Sequence, residues 1–366
     1  MSIEIAKKLW EISLTIETDN LDQKHKSINN RANQISFEKV KKNYRSWEMQ
    51  SDCDAPLQFN FFSLRSYGLT KYIKYLLAII KNNFIYGINK CTSFYEDLEI
   101  IKLLDGYDIL EKCPVHKTPG NTTAFFVSKT VSANLRWLRY IYFSSIIRKY
   151  CEFKNDSPVI LDIGCFYGGF QYVIKKLIPK SKHILVDFPH QLARSALFLG
   201  ESFPKSKIYS IHDENSLEKF FSSDFNNKYD FLLLTTDYFH EFSDKYSFSN
   251  IDLLTNFFSL GEMKKNDFRR YLKSKILLNS KQIYFCNRFD SSPFYEPTYE
   301  HKYSMIDYLI DGYDVKLTQN SGIHTYLMDP RRLFGKRKIR PLSSNYFDKW
   351  PGAVILRAHE DCCPCY

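Results

Sequence analysis

The hydrophobic pattern divides the chain into a helical part and a part in which strands and helices alternate. Up to about residue 150, apolar residues recur every three or four positions, as in Leu69–Ile80 and Leu135–Ile147, which predicts amphipathic helices. After the breaker sequence Asn155–Pro158, short apolar runs alternate with amphipathic stretches. We therefore expect a mainly helical region at 1–150 and an α/β domain at 151–366.

Five short apolar runs in the second region have the length and composition of buried parallel strands, with helices between them. Two later segments, Asp314–Leu317 and Ala353–Arg357, would extend the sheet, the last strand running antiparallel. The predicted fold is α/β, with a doubly wound, mostly parallel sheet of seven strands. The first five predicted strands are Val159–Ile163, Ile184–Val186, Ile208–Ile211, Phe231–Leu234 and Ile283–Cys286. The predicted helices are Phe170–Leu177, Gln191–Phe203, Ser216–Phe221 and Ile251–Leu260.

Composition excludes disordered and fibrous classes, because 44% of the 366 residues are hydrophobic and 25% are charged. No stretch approaches the roughly 20 uncharged apolar residues that cross a bilayer, and the first ten residues lack a signal-peptide core, so a cytoplasmic protein is expected. The nine cysteines show no disulfide spacing and are expected to be reduced. The cysteines nearest the C-terminus, Cys362, Cys363 and Cys365, are interpreted as a frayed end rather than a metal site.

The formal net charge of +10 comes partly from one basic run near the C-terminus. A solvated loop is the expected interpretation. The alternatives are a cradle for the phosphates of a nucleotide sugar or lipid-linked glycan, and a peripheral contact with an anionic membrane. Nucleic acid is not favoured, because its binding calls for basic and aromatic residues interleaved across a surface. The run consists of Arg331, Arg332, Lys336, Arg337, Lys338 and Arg340.

An acidic residue and a glycine end the first predicted strand, where a doubly wound sheet opens its ligand crevice. Asp162 stands two residues before Gly164, which allows a tight turn, and Gly168 permits close packing where the next helix begins. Dinucleotide sites need glycine at the second fingerprint position to contact pyrophosphate, and here that position is Phe166. The turn is therefore predicted to bind a cofactor that carries ammonium and sulfonium groups instead, S-adenosylmethionine.

Two further carboxylates follow the second and third predicted strands. Asp187 ends the second strand, where a carboxylate can accept two hydrogen bonds from a ribose diol. Asp213 follows the third strand and has two interpretations, a contact with adenine or the N-cap of a helix. Both are predicted to belong to the cofactor site.

The segment after the predicted fourth strand, Phe231–Leu234, contains candidate catalytic groups: Asp237, His240 and Glu241. His240 has a pKa suited to taking the proton of an attacking hydroxyl, and Glu241 would orient it or act as the base itself. The alternative is a capped helix with His240 exposed on it. The segment lacks the Asp/Asn-Pro-Pro-aromatic and Pro-Cys sequences used for methylating amines and pyrimidine carbons, so a hydroxyl acceptor is favoured.

The sequence resembles the sugar O-methyltransferases encoded in surface-polysaccharide gene clusters. This resemblance implies a Rossmann-like, S-adenosylmethionine-dependent methyltransferase and covers the chain from about residue 90. Two departures stand out: Thr235–Asp237 replaces an Asn-Thr-x-Ser-like sequence, and Phe242 replaces a Met after the acidic residue. The matching segments are Gly120–Asn121, the helix from Leu135, Leu161–Gly169, Val186–Pro189, Phe239–Glu241 and Tyr284–Arg288.

The acceptor implied by this resemblance is a carbohydrate hydroxyl, on a nucleotide-linked or lipid-linked sugar. Asn287, Arg288 and His301 are predicted to bind it, and the helical region would serve as a substrate cap or an oligomer contact. A divalent metal is not favoured, because Asp237 and Glu241 lack a third defined oxygen ligand. The alternatives are methylation of RNA or a small metabolite, and a catalytically silent scaffold that keeps the fold.

Overall fold

The computed structural model describes residues 2–15, 36–43, 97–115, 125–128, 131–222, 228–246, 251–287, 303–317, 319–320 and 364–365. Several positions singled out from sequence lie outside the described residues. They are Leu69–Ile80, Gly120–Asn121, Arg288, His301, the basic run Arg331–Arg340, Ala353–Arg357, Cys362 and Cys363.

The N-terminal part is mainly helical where it is described. Its longest described helix, α4 (Leu135–Tyr150), is capped by Asn134. The side-chain oxygen of Asn134 accepts a hydrogen bond of 2.8 Å from the backbone N–H of Trp137. This confirms the helix predicted from Leu135 onward. The elements are α1 (Ser2–Thr15), α2 (Phe37–Asn43), a helical stretch at 97–103, α3 (Tyr107–Lys112), the paired strands β1 (Phe125–Phe126) and β2 (Ser132–Ala133), and α4 (Leu135–Tyr150).

From residue 159 onward, strands and helices alternate. The elements are β3 (Val159–Ile163), α5 (Gly169–Leu177), β4 (Lys182–Asp187), α6 (Pro189–Ser202), β5 (Ile208–Ile211), α7 (Glu214–Ser222), β6 (Phe231–Thr235), α8 (Phe239–Lys245), β7 (Leu253–Phe257), α9 (Lys265–Leu272), α10 (Lys275–Leu278), β8 (Ile283–Cys286), β9 (Gln319–Asn320) and β10 (Pro364–Cys365). Single turns of 3-10 helix cover Thr236–Tyr238, Leu260–Glu262 and Met305–Tyr308.

The main sheet has the strand order β5-β6-β4-β3-β7-β8-β10-β9. The first six strands in this order are parallel, and β10 pairs antiparallel with both β8 and β9. In the described part of the chain the sheet thus has eight strands instead of the predicted seven. The structure confirms the predicted α/β class, with a mostly parallel, doubly wound sheet.

Helices cover both faces of the sheet in two separate hydrophobic cores. The core on one face contains residues of α1, α4, α5 and α6, and the core on the other contains residues of α7, α8, α9 and α10. The first core includes Trp10 and Trp137 from the N-terminal region together with Phe170 of α5. The helical region and the α/β region therefore share one core. Among the described helices, none is long and apolar enough to span a membrane.

Two predicted elements are wrong, and the first of them changes which loops flank the site. The helix expected at Ile251–Leu260 is instead the strand β7, which lies between β3 and β8. A strand buried on both faces is a continuous apolar run, and its periodicity does not distinguish it from a short buried helix. The segment Asp314–Leu317, predicted to be a strand, has no regular structure.

Candidate functional site

The sheet has two places where neighbouring strands lead to helices on opposite faces. β3 is followed by α5 on one face and its neighbour β7 by α9 on the other, and the pair β4 and β6 diverges in the same way. Ligands of doubly wound sheets bind outside the carboxyl ends of the strands at such divergences. A crevice above β3 and β4, flanked by the loops after β7 and β6, is therefore the candidate site.

Asp187 lies in this crevice at the end of β4. One carboxylate oxygen accepts a hydrogen bond of 2.9 Å from the backbone N–H of Phe166, and the other accepts one of 2.8 Å from that of Phe188. Burial raises the pKa of Asp187 to about 6, although these two hydrogen bonds and the charge of Arg194 act to lower it. Each oxygen keeps a further lone pair for a ligand hydroxyl.

The turn after β3 is packed so closely that only glycine fits at Gly164. Its φ is +83°, and an added Cβ would lie 2.1 Å from the Oγ of Ser259 in the loop after β7. Phe166 also has a left-handed φ of 57°, so the turn follows a backbone path that glycine adopts more easily. Gly168, with a φ of +90°, packs against Leu199 of α6, in agreement with the close packing predicted there.

Asp162 lies beneath the crevice and is only 2% exposed. Its two oxygens accept hydrogen bonds of 2.7 Å from the Thr255 hydroxyl on β7 and 2.6 Å from the Gln171 amide on α5. Burial raises the pKa of Asp162 to about 7, with these two bonds acting in the opposite direction. In this structure Asp162 joins β3, β7 and α5 below the turn, which positions the turn above it.

The three candidate catalytic residues follow β6, and β6 does not border β3. It lies on the far side of β4, so the segment that carries these residues is next to β4, and its place beside the acceptor stays a prediction. Asp237 is exposed, and Glu241 forms a surface ion pair of 2.8 Å with Lys245. The half-buried ring of His240 packs against Phe239 and Tyr271, and burial together with Arg270 lowers its pKa. The structure thus leaves Asp237, His240 and Glu241 beside the cofactor half of the crevice.

Asp213 is the N-cap of α7, one of the two interpretations left open by the sequence. Its side chain accepts a hydrogen bond of 2.7 Å from the backbone N–H of Ser216, and the Ser216 hydroxyl accepts one of 3.0 Å from the N–H of Asp213. Burial acts to raise the pKa of Asp213, but hydrogen bonds from Ser216 lower it to about 2. Because β6 separates β5 from β4, Asp213 follows an edge strand, one position away from the crevice.

A buried polar network fixes the loops after β7 and β8 on the other side of the crevice. The amide nitrogen of Asn256 donates to the carbonyl of Ile163 at 2.6 Å, and that of Asn287 donates to the side-chain oxygen of Asn256 at 2.9 Å. The side-chain oxygen of Asn287 accepts from the N–H of Gly261 at 3.1 Å. Asn287, predicted to bind the acceptor, is 4% exposed and has the geometry of a positioning residue.

The same network holds a turn that carries an acidic residue, Glu262, which the sequence analysis did not single out. The turn Leu260–Glu262 is held by Asn256, Asn287 and the hydroxyl of Tyr303, which donates to the carbonyl of Leu260. Glu262 is half-buried on this turn. The available signal was an acid shortly after the apolar run that forms β7.

Among the described side chains, no group of three or more His, Cys, Asp or Glu residues is arranged to hold a metal ion. Cys113, Cys151, Cys165 and Cys286 are free thiols. Burial raises the pKa of the Cys113 and Cys151 thiols to about 11, so both are protonated at neutral pH.

Comparison with known proteins gives similarity at the level of fold. No family model matches the sequence, and no curated protein is significantly similar to it. One similar solved structure is phospholethanolamine N-methyltransferase 2 of Haemonchus contortus, in complex with phosphomonomethylethanolamine and S-adenosylhomocysteine. It is 12% identical with a TM-score of 0.29, and the match covers 61% of this chain and 50% of that one.

Another similar structure is coclaurine N-methyltransferase bound to N-methylheliamine and SAH. It is 11% identical with a TM-score of 0.33, and the match covers 70% of this chain and 76% of that one. The chain thus spans half the length of the first of these proteins and about three quarters of the second.

Proposed function

We propose that the protein is an S-adenosylmethionine-dependent methyltransferase whose acceptor is a sugar hydroxyl. The observation that carries the cofactor assignment is Asp187, a buried carboxylate at the end of β4 that faces the turn containing Gly164. A ribose diol needs two strong acceptors, and each oxygen of Asp187 retains one lone pair for that purpose. No pyrophosphate needs to fit, which agrees with Phe166 at the second fingerprint position.

Asp187 and the turn at Gly164 would hold the nucleoside of the cofactor, and β7 and β8 lie on the other side of β3 from β4. The cofactor would supply an electrophilic methyl group, and we assign the acceptor side of the crevice to the loops after β7 and β8. The chain contributes by holding these loops rigid and aligned, which is a major source of rate enhancement.

Glu262 is the general base that this arrangement favours. It lies on the acceptor side, on a turn whose backbone is held by Asn256, Asn287 and Tyr303. A carboxylate within reach of a sugar hydroxyl accepts its proton as the oxygen attacks the methyl carbon, a contribution of roughly 100-fold or more. His240 is the second candidate, since its lowered pKa keeps it neutral and able to accept a proton.

The sugar acceptor is supported by the resemblance in sequence, which rests on segments such as Leu161–Gly169 and Tyr284–Arg288. The proposed acceptor is a nucleotide-linked or lipid-linked sugar of a cell-surface glycan. We also propose that the protein acts in the cytoplasm and that it forms a homo-oligomer.

The test is to incubate the purified protein with isotope-labelled S-adenosylmethionine and a panel of nucleotide sugars and glycan extracts, followed by mass analysis of the products. We expect one labelled methyl ether, and we expect Glu262→Gln to lower the turnover roughly 100-fold while His240→Gln lowers it little. The reverse ranking would assign the base to His240. Transfer to RNA alone, or cofactor binding without transfer to any acceptor, would contradict the proposed substrate.

A further inference from the structure

Three arginines converge on the loops that flank the candidate crevice. The guanidinium carbon of Arg136 lies 4.8 Å from the ring centroid of Phe166, and that of Arg194 lies 4.6 Å from the same ring. The guanidinium carbon of Arg139 lies 5.1 Å from the ring of Phe258. Phe166 follows β3 and Phe258 follows β7, so the three cations lie at the divergence of these neighbouring strands.

The two aromatic rings occupy unusual backbone positions. Phe166 and Phe258 have φ values of 57° and 75°, in the left-handed region that disfavours residues with a Cβ. Such strain persists where the surrounding structure enforces it and is concentrated at binding sites. Each ring presents its face to a guanidinium, a contact that glycine at the same position would not make. We interpret the rings as platforms that fix the direction of the arginines.

Burial makes this positive charge expensive unless an anion compensates it. Arg194 is fully buried and Arg139 is 8% exposed, so both guanidinium groups have lost most of their hydration. Asp187 is a nearby negative charge, since Arg194 lowers its pKa, but its own burial raises that pKa to about 6. All three arginines have further interactions within the protein, so a bound anion would join or replace one of them.

We propose that Arg136 and Arg139, at the start of α4, form an oxyanion site at the mouth of the crevice, while fully buried Arg194 packs against the ring of Phe166. Guanidinium groups bind carboxylate and phosphate oxygens in a bidentate manner, and the rings hold them ready to do so. The oxyanion is either the amino-acid carboxylate of the cofactor or a phosphate of the acceptor. This inference rests on the proposed function for the identity of the ligand, and it gives the N-terminal region a direct part in binding.

Calorimetry with three probes distinguishes the two sources. S-Adenosylhomocysteine carries the carboxylate, 5′-methylthioadenosine lacks it, and uridine diphosphate carries phosphates on a uridine and has no carboxylate. The variants are Arg136→Gln, Arg139→Gln and their combination, with Lys149→Gln as the control, because it removes one positive charge from the exposed far end of the same helix. Thermal unfolding checks that each variant folds. Arg136 is half-exposed, so Arg136→Gln tests the site by itself if Arg139→Gln is unstable.

If the cofactor carboxylate is the ligand, the double variant loses about tenfold or more in affinity for S-adenosylhomocysteine and nothing for 5′-methylthioadenosine. If the acceptor phosphate is the ligand, the loss appears with uridine diphosphate instead. The inference is overturned if the arginine variants bind every probe as tightly as Lys149→Gln does. A wild-type protein that binds neither nucleoside would contradict the proposed function itself, whereas arginine-dependent binding of uridine diphosphate would still establish the site.

Discussion

Gly164 is the residue at which the backbone requirement is most stringent. Replacing it by alanine forces a Cβ against the Oγ and Cβ of Ser259, at 2.1 and 2.3 Å, and places a side chain at a φ of +83°. We expect Gly164→Ala to lower the free energy of unfolding by about 2 kcal/mol or more, and to weaken cofactor binding because the turn must shift. Urea denaturation measures the first effect.

The matched control is the double variant Gly164→Ala with Ser259→Gly. It removes the steric overlap but keeps the unfavourable φ. Because Ser259→Gly also removes a hydroxyl that donates to the carbonyl of Ile163 at 3.0 Å, the double variant is compared with Ser259→Gly alone, and Gly164→Ala should cost less stability in that background. An equal cost in both backgrounds would show that the contact with Ser259 contributes nothing.

The turn at Gly164 and the carboxylate of Asp187 were predictable from sequence, because an acid-x-Gly turn and an acid at the next strand end depend on local order alone. The deep burial of Asp162 was not predictable, because it depends on Thr255, a residue 93 positions later on a strand that the sequence did not reveal. The sequence analysis singled out Asn287 at the end of the strand Ile283–Cys286, where it lies. Its hydrogen bonds to Gly261 and Asn256 were not predictable, because they depend on how the strands pack.

At the scale of elements, one strand of the sheet, β7, was misassigned. The helices α5, α6 and α7 and the strands β3, β4, β5, β6 and β8 were recognisable from their apolar patterns. The run that forms β7 was interpreted as a helix, so the strand that lies between β3 and β8 was missed. Strand order is determined by non-local pairing, which no local pattern records.

The amino ends of β4 and β6 are joined to α5 through a buried lysine. The ammonium of Lys175, on a side chain that is 6% exposed, donates to the carboxylate of Asp230 at 2.8 Å and to the carbonyl of Ser181 at 2.6 Å. We expect Lys175→Met, which keeps the length of the side chain, to lower the free energy of unfolding by about 2 kcal/mol. The control is exposed Lys176, the next residue on α5.

We expect Lys176→Met to change the free energy of unfolding by less than about 0.5 kcal/mol. If Lys175→Met and Lys176→Met had equal effects in urea denaturation, a specific role for the buried pair would be contradicted.

At the scale of the whole molecule, the boundary that the sequence shows near residue 150 is a change of pattern within one packed body. Phe143 of α4 stacks on Phe257 of β7 with ring centroids 4.0 Å apart, and Trp137 packs against Tyr172 of α5. The sheet therefore depends on α4 for part of its core, and α4 in turn brings Arg136 and Arg139 to the crevice.

The most direct test of the central claim is a calorimetric titration of the protein with S-adenosylhomocysteine at about pH 8 and about pH 5. Only the ionised Asp187 carboxylate offers both oxygens as acceptors, and burial raises its pKa to about 6, so affinity should fall as the pH drops through this value. The account predicts binding at the higher pH, weaker binding at the lower one, and a loss of about tenfold or more in Asp187→Ala. The absence of binding at both pH values, or unchanged affinity in Asp187→Ala, would contradict it.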